Sequence, residues 1–392
     1  MSQSLLDLPS QSNRFAEIIL TNARLVLADG VLDGTVVIRD GIIAEIDEGF
    51  SRTPSAIDLV GDFLIPGIID LHTDNLERQS EPRPGARWPS RSALLAHDAQ
   101  CAAAAVTTVF DALCLGDLGL DDGDRVRTFR EGVANLEALA GSRLLKAGHF
   151  LHLRCELPAA DMPDLLESVA DHALVRMASL MDHTPGVGQY ADVERYRSRR
   201  ARGGMAVTEI DTHIARLQEQ RGKLRASNRR FMLNRLHCLP IVLASHDDET
   251  VEEVAENHAD GIRVSEFPVR LEAALAAHGL GMDVIAGAPN LVRGGSHSGN
   301  VSAAEMLTAG AVDALASDYV PPSLLEAVFR LAAGDVPVHE AVALVTANPA
   351  RIAGLSDRGR IAPGLRADLA AVHTEHGLAA PMAVWRGGRR IS

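Results

Sequence analysis

Residues 64–77 read LIPGIIDLHTDNLE, an aliphatic run that stops at Asp70 and is followed by His72, Asp74 and Glu77. A segment bound for the interior that ends in ligand-type side chains has the form of a buried strand whose carboxyl end opens into a site. Whether this decides the fold depends on the other strands ending the same way.

Further apolar runs lie at 107–114, 148–156, 175–183, 239–247, 260–267, 283–290 and 314–320, which with 64–72 makes eight. Amphipathic stretches such as 161–173, 249–259 and 301–312 lie between them. Strands covered on both faces and alternating with helices imply a parallel sheet, and eight such units imply an α/β fold of the (β/α)8 TIM-barrel type. An open doubly wound sheet is the competing topology, disfavoured because no G-x-G-x-x-G follows an early strand.

Both ends of the chain have a different texture. Residues 16–48 form short β-rich runs punctuated by Asp-Gly at 29–30 and 40–41, the hairpin signal. GRIAPGLRADLAAVHT and MAVWRGGRRI near the other end are again short strands broken by Gly and Pro. The reading is a small β-sandwich domain built from residues 1–62 and 355–392, around a barrel at 63–354 that carries a helical insertion at 190–235.

Composition narrows the function classes. With 46% hydrophobic, 23% charged and only 4% aromatic residues, the core must be built from Ala, Val, Leu and Ile. A net charge of −14 argues against whole-surface attraction to nucleic acid or membrane. Cys101, Cys114, Cys155 and Cys238 are far apart without a C-x-x-C pair, as expected of reduced thiols in a cytoplasmic protein. MSQSLLDLPSQSNRF lacks the basic and apolar regions of a signal peptide, and no apolar run approaches the ~20 residues of a spanning helix.

The chemistry falls at strand ends. His72, Asp74, Glu156, His183, His246 and Asp318 each stand at or just beyond one. A lone histidine there is more often a hydrogen-bonded core residue, and Asp318 alone could cap a helix. Six at equivalent positions form a joint signal for a divalent metal centre. Imidazole with carboxylate suits Zn²⁺ best, and Mn²⁺ or Fe²⁺ also, with one or two ions. Asp247 and Asp248 read as caps of a helix starting near Glu249. Glu266, with Arg263 and Arg270 close in sequence, has a structural reading as their partner and is left out of the set.

PGIIDLH and NPARIAGLSDRGRIAPGLRADLA resemble the amidohydrolase superfamily. HTDNLERQSEPRPGARWP, SLMDHTPGVGQY, SHDDET, NLVRGGSHSGNVSA and ASDYVP are similar to its phosphonate-metabolism branch, the α-D-ribose 1-methylphosphonate 5-triphosphate diphosphatases of the carbon–phosphorus lyase pathway. The resemblance covers nearly the whole chain and implies a metal-dependent hydrolase. Two departures from the general superfamily pattern stand out. His72-x-Asp74 replaces His-x-His, and Glu156 and His183 fall on the third and fourth strands, one earlier than is commonest.

A triphosphate substrate requires a local positive pocket. Arg78, Arg83 and Arg87 follow the first strand, and Arg154 shares a strand face with Glu156. Arg293, Gly294, Gly295, Ser296, His297 and Ser298 form a Gly-rich loop after the seventh strand, suited to anions. Ser302-x-x-Glu305 then reads as a capping box. The insertion carries twelve Lys/Arg against five Asp/Glu, either as a solvated basic arm or as a lid over the phosphates.

The implied reaction is metal-assisted hydrolysis with Asp318 taking a proton from water. The expected partner is a phosphorylated sugar, with neither nucleic acid nor membrane, and a homodimer stays open. Two alternatives are a cyclic-amide or N-acyl hydrolase, with fewer arginines and an apolar pocket, and a non-catalytic scaffold lacking ligands.

Overall fold

Gly67 divides the opening stretch between two sheets. In the computed structural model, which describes residues 17–119, 124–296 and 299–392, Phe63–Pro66 and Ile68–Thr73 are separate strands. The single strand expected over 64–72 is therefore two. Phe63–Pro66 pairs in parallel with Ile18–Val26 and antiparallel with Leu369–Glu375, whereas Ile68–Thr73 starts the barrel. At the crossing between the sheets a Cβ on Gly67 would lie 2.3 Å from Oγ1 of Thr107, so this position requires a residue without a side chain.

The terminal sheet has eight strands drawn from both ends of the chain. Asp40 and Gly41, with φ of 51° and 79°, turn Val31–Arg39 back onto Ile42–Glu48, the left-handed pair that a tight hairpin favours. Leu369–Glu375 and Leu378–Arg386 form the C-terminal hairpin. Leu20, Leu25, Val36, Ile38, Leu64, Leu369 and Trp385 bury one core between the two contributions.

The second sheet is the expected barrel. Ile68–Thr73, Val106–Leu115, Gly148–Glu156, Val175–Met181, Val242–His246, Val264–Glu266, Asp283–Gly287 and Ala314–Ala316 follow one another in sequence order, all parallel. Glu156 thus ends the third strand and His183 follows the fourth, with no strand missed between. Ile69, Leu71, Phe110, Met177, Ala244 and Ile285 pack in one buried cluster, and a larger cluster joins the strands to the helices. The first and last strands meet through a Thr73–Asp318 bridge, with Asp318 N donating to His72 O at 2.9 Å and Asp74 N to Asp318 O at 2.8 Å. Asp70 clasps the same seam, accepting from Ser317 Oγ at 2.5 Å and Ser317 N at 3.1 Å.

The insertion after the fourth strand is a pair of helices, Val193–Arg202 and Val207–Leu236. Tyr196, Ile210 and Ile214 form a small core of their own between them. No helix among the described residues is long and apolar enough to cross a membrane.

Candidate active site

A bulge in the first strand explains how an aliphatic run delivers a histidine to the site. Asp70 pairs with Val109 and Thr73 with Asp111, so Leu71 and His72 together oppose one residue of the second strand. Alternation breaks there. Leu71 joins the buried cluster of Phe110 and Met177, and His72 lines the cavity beside it.

That cavity, about 560 Å³, lies at the carboxyl ends of the strands and is lined by His72, Asp74, His183, His246 and Asp318 among others. The ring centroids of His72 and His246 are 5.7 Å apart, and those of His183 and His246 are 5.9 Å apart. Each of the three imidazoles has its Nδ1 taken by a carboxylate. His72 meets Glu266 Oε1 at 3.2 Å, His246 meets Asp247 Oδ2 at 3.1 Å, and His183 makes a short hydrogen bond to Glu156 Oε1. Carboxylates on Nδ1 fix the rings and leave Nε2 to serve as the donor atom, the arrangement that orients metal-binding histidines. Among the described residues, Asp74 Oδ1 and Glu156 Oε2 are buried without a hydrogen-bond partner, which leaves two oxygens needing a cation or a proton.

Electrostatics follow from burial. Burial and the Asp318 charge, opposed by Arg154, push the Asp74 carboxyl up to about 7. Burial likewise raises Asp318 to about 6 against the pull of Arg154 and His246. Burial would raise Glu156 as well, but His183 and Arg154 bring it down to about 2. Burial, aided by Arg154, drives His72 well below the usual histidine range. Asp247, Phe267 and Asp318, just past the ends of three strands, hold φ of 56°, 51° and 53°. Left-handed non-glycine residues clustered at one mouth are the kind of local strain that active sites retain.

The arginines divide. Arg78, Arg154 and Arg293 line the cavity with Gly295 and Ser296, whereas Arg83, Arg87 and Gly294 do not. Arg87 is bound to Glu131 at 2.8 Å. Gly294, with φ of 76°, terminates the helix Ala288–Arg293. His297 and Ser298 lie outside the described residues. Ser302 and Glu305 form the expected capping box.

Sequence reasoning missed several lining residues. Asp247 and Asp248 do not cap the following helix; Thr250 does, its side chain accepting from Glu253 N at 3.1 Å. Asp247 instead lines the cavity against His246, and Asp248 accepts from Ser245 Oγ and Asn257 Nδ2 beneath it. Glu266 pairs with neither Arg263 nor Arg270 but with His72 and with Ser179 Oγ at 2.6 Å. Its position at the end of the sixth strand was the available signal. Arg125, Arg199 and Arg200 also line the cavity, the last two from the insertion.

Residues 272–390 match the amidohydrolase family model. The α-D-ribose 1-methylphosphonate 5-triphosphate diphosphatase of Escherichia coli K12 is 42% identical over 381 residues, covering 95% of this chain and all of the relative. The chain belongs to this diphosphatase family of amidohydrolases. Members of the superfamily are metal-dependent hydrolases, and at this cavity His183, His246 and Asp247 have the spacing to share a divalent ion. D-hydantoinase from Rhizobium radiobacter is 32% identical over 127 residues, 32% of this chain and 25% of that protein. Among solved structures, N-acetyl-D-glucosamine-6-phosphate deacetylase from Mycobacterium smegmatis superposes with a TM-score of 0.62 at 16% identity, covering 96% of this chain and 99% of the other. That likeness concerns the fold alone.

Proposed function

We propose that this protein hydrolyses α-D-ribose 1-methylphosphonate 5-triphosphate to the 5-phosphate and diphosphate. The observation that carries the reading is the joining, in one cavity, of three imidazoles, each held at Nδ1 by a carboxylate, and six arginines: Arg78, Arg125, Arg154, Arg199, Arg200 and Arg293. A cyclic-amide or N-acyl hydrolase would have no use for so much positive charge. Full-length likeness to the Escherichia coli diphosphatase supports the substrate.

His72, Asp74, Glu156, His183, His246 and Asp318 would hold one or two divalent ions, with Zn²⁺ the best match to mixed imidazole and carboxylate donors. The unpartnered oxygens of Asp74 and Glu156 fit that role. When bound, such an ion lowers the pKa of water and polarises a phosphoryl oxygen. Asp318 takes the proton of the attacking water. The water oxygen bonds to the phosphorus nearest the ribose, the bond from that phosphorus to the bridging oxygen breaks, and diphosphate leaves with the electron pair. Arg154, Arg78 and Arg293 offset charge on the phosphoryl oxygens, which is positioning and electrostatics rather than covalent work. The reaction belongs in the cytoplasm, where four unpaired cysteines stay reduced.

The test is phosphorus NMR of the metal-loaded protein with the ribose triphosphate. One diphosphate per 5-phosphate is expected. Release of orthophosphate in steps, or a higher kcat/KM on a cyclic amide, would overturn the assignment.

A further inference from the structure

The insertion builds a second cavity against the first. Gln189, Tyr190 and Arg199 line both. Beyond that shared wall the second cavity, about 530 Å³, is lined by Arg195, Tyr196 and Arg202. Its one acidic lining residue among those described is Asp192, whose Oδ1 accepts from Arg195 N at 2.9 Å.

The two cavities differ in electrostatic character. In the first, Arg154 stands 3.6 Å from Asp74 and 3.8 Å from Glu77, Arg125 stands 3.5 Å from Glu77, and Arg78 donates to Tyr319 O at 2.7 Å. Its floor of Asp74, Glu77 and Asp318 is where the ion and the attacked phosphate sit, and the carboxylate and carbonyl oxygens there already engage Arg154, Arg125 and Arg78. The side chain of Arg199, at the junction, has neither an ion pair nor a hydrogen bond among the described residues. Arg200 beside it is oriented by Tyr196, donating to its hydroxyl at 3.1 Å. A chain of phosphates that places its first phosphorus over that floor extends its other two toward a guanidinium not already engaged by the described residues, and on the insertion side Arg199 offers one. Guanidinium groups supply the planar, paired N–H donors that phosphate oxygens match.

We propose that the second cavity is the subsite for the two terminal phosphates of the substrate, and so for the departing diphosphate, with Arg199 at its entrance and Arg202 further along. This rests on the diphosphatase reading and gives the insertion a role: it supplies the leaving-group pocket.

Inorganic diphosphate is the probe, titrated calorimetrically into the intact, metal-loaded protein. Arg199→Ala should weaken diphosphate binding by about 10- to 100-fold and Arg202→Ala by a smaller factor, with Arg199→Lys recovering part of the loss. Orthophosphate binding should change far less. Lys223→Ala, at an exposed Lys223–Glu219 pair on the longer insertion helix, should leave diphosphate affinity unchanged. Equal affinity in the wild type, Arg199→Ala and Arg202→Ala overturns the subsite, as does an equal loss in Lys223→Ala. Methylphosphonate that displaces diphosphate and loses affinity in Arg199→Ala would assign the cavity to the other end of the substrate, and also overturns it. A wild type that binds diphosphate through Arg199 yet leaves the ribose triphosphate intact would sink the diphosphatase reading and keep the subsite.

Discussion

Nδ1 of His72 and Oε1 of Glu266, 194 positions apart in the chain, lie 3.2 Å from each other, both buried. Glu266 also accepts from Ser179 Oγ at 2.6 Å, and Ser179 in turn meets His152 Nε2 through a short hydrogen bond. A carboxylate so placed fixes which nitrogen of His72 is free. Glu266→Gln keeps the shape and removes the charge, so metal affinity should fall by about 10- to 100-fold with folding intact. Competition against a metal chelator measures this. Unchanged affinity would mean that His72 needs no such support.

Asp318 sits at the barrel seam with its backbone bonded to both His72 and Asp74. Asp318→Asn retains the shape and an oxygen but loses the proton acceptor. Turnover should drop by about 10²- to 10⁴-fold even at saturating metal, where the remaining donors keep the ion bound. Elemental analysis alongside steady-state rates separates the two effects. Full activity in the variant would remove Asp318 from the chemistry.

A second buried histidine group is structural by this geometry. His149 donates to Asp111 at 2.8 Å and to Asp98 at 3.1 Å, and His97 meets the other Asp111 oxygen at 2.8 Å. Burial alone would lower the His149 pKa, but Asp111 and Asp98 outweigh it and raise the group to about 9. Because the folded value lies above the unfolded one, the stabilisation is full below about pH 6.5 and disappears as pH rises through about 9. From the shift, up to about 3 kcal/mol is at stake. His149→Gln should flatten the loss of stability between about pH 6 and about pH 9.5, read from urea unfolding. Parallel pH profiles for the two proteins would refute the account.

Gly67→Ala should destabilise the protein by about 1–3 kcal/mol, because the added methyl meets Thr107 Oγ1 at 2.3 Å and Cγ2 at 2.5 Å. Pairing it with Thr107→Ala removes both atoms and should restore part of the loss. A double-mutant cycle by thermal unfolding tests the coupling. Strict additivity would show that the contact is not what restricts this position.

The fold was largely legible in the sequence because continuous apolar runs and glycine-marked hairpins are local signals. The strand-end placement of the six proposed donors was legible for the same reason: each stands at or just past the point where an apolar run stops. Asp247 and Glu266 were not, since a carboxylate next to a strand end looks the same whether it caps a helix or orients an imidazole. Arg83 and Arg87 have the charge for phosphate binding and the right place in the chain, yet face elsewhere. Charge and order do not encode direction.

By itself the sequence determined a parallel eight-stranded barrel with a sheet shared by both termini, and five of six proposed donors that line one cavity; Glu156 stands behind His183. Only the tertiary structure decided that Gly67 splits the opening strand, that a bulge turns His72 inward, and which carboxylate holds each imidazole. Those outcomes depend on distances between residues remote in the chain, and burial makes each such contact costly to leave unpaired.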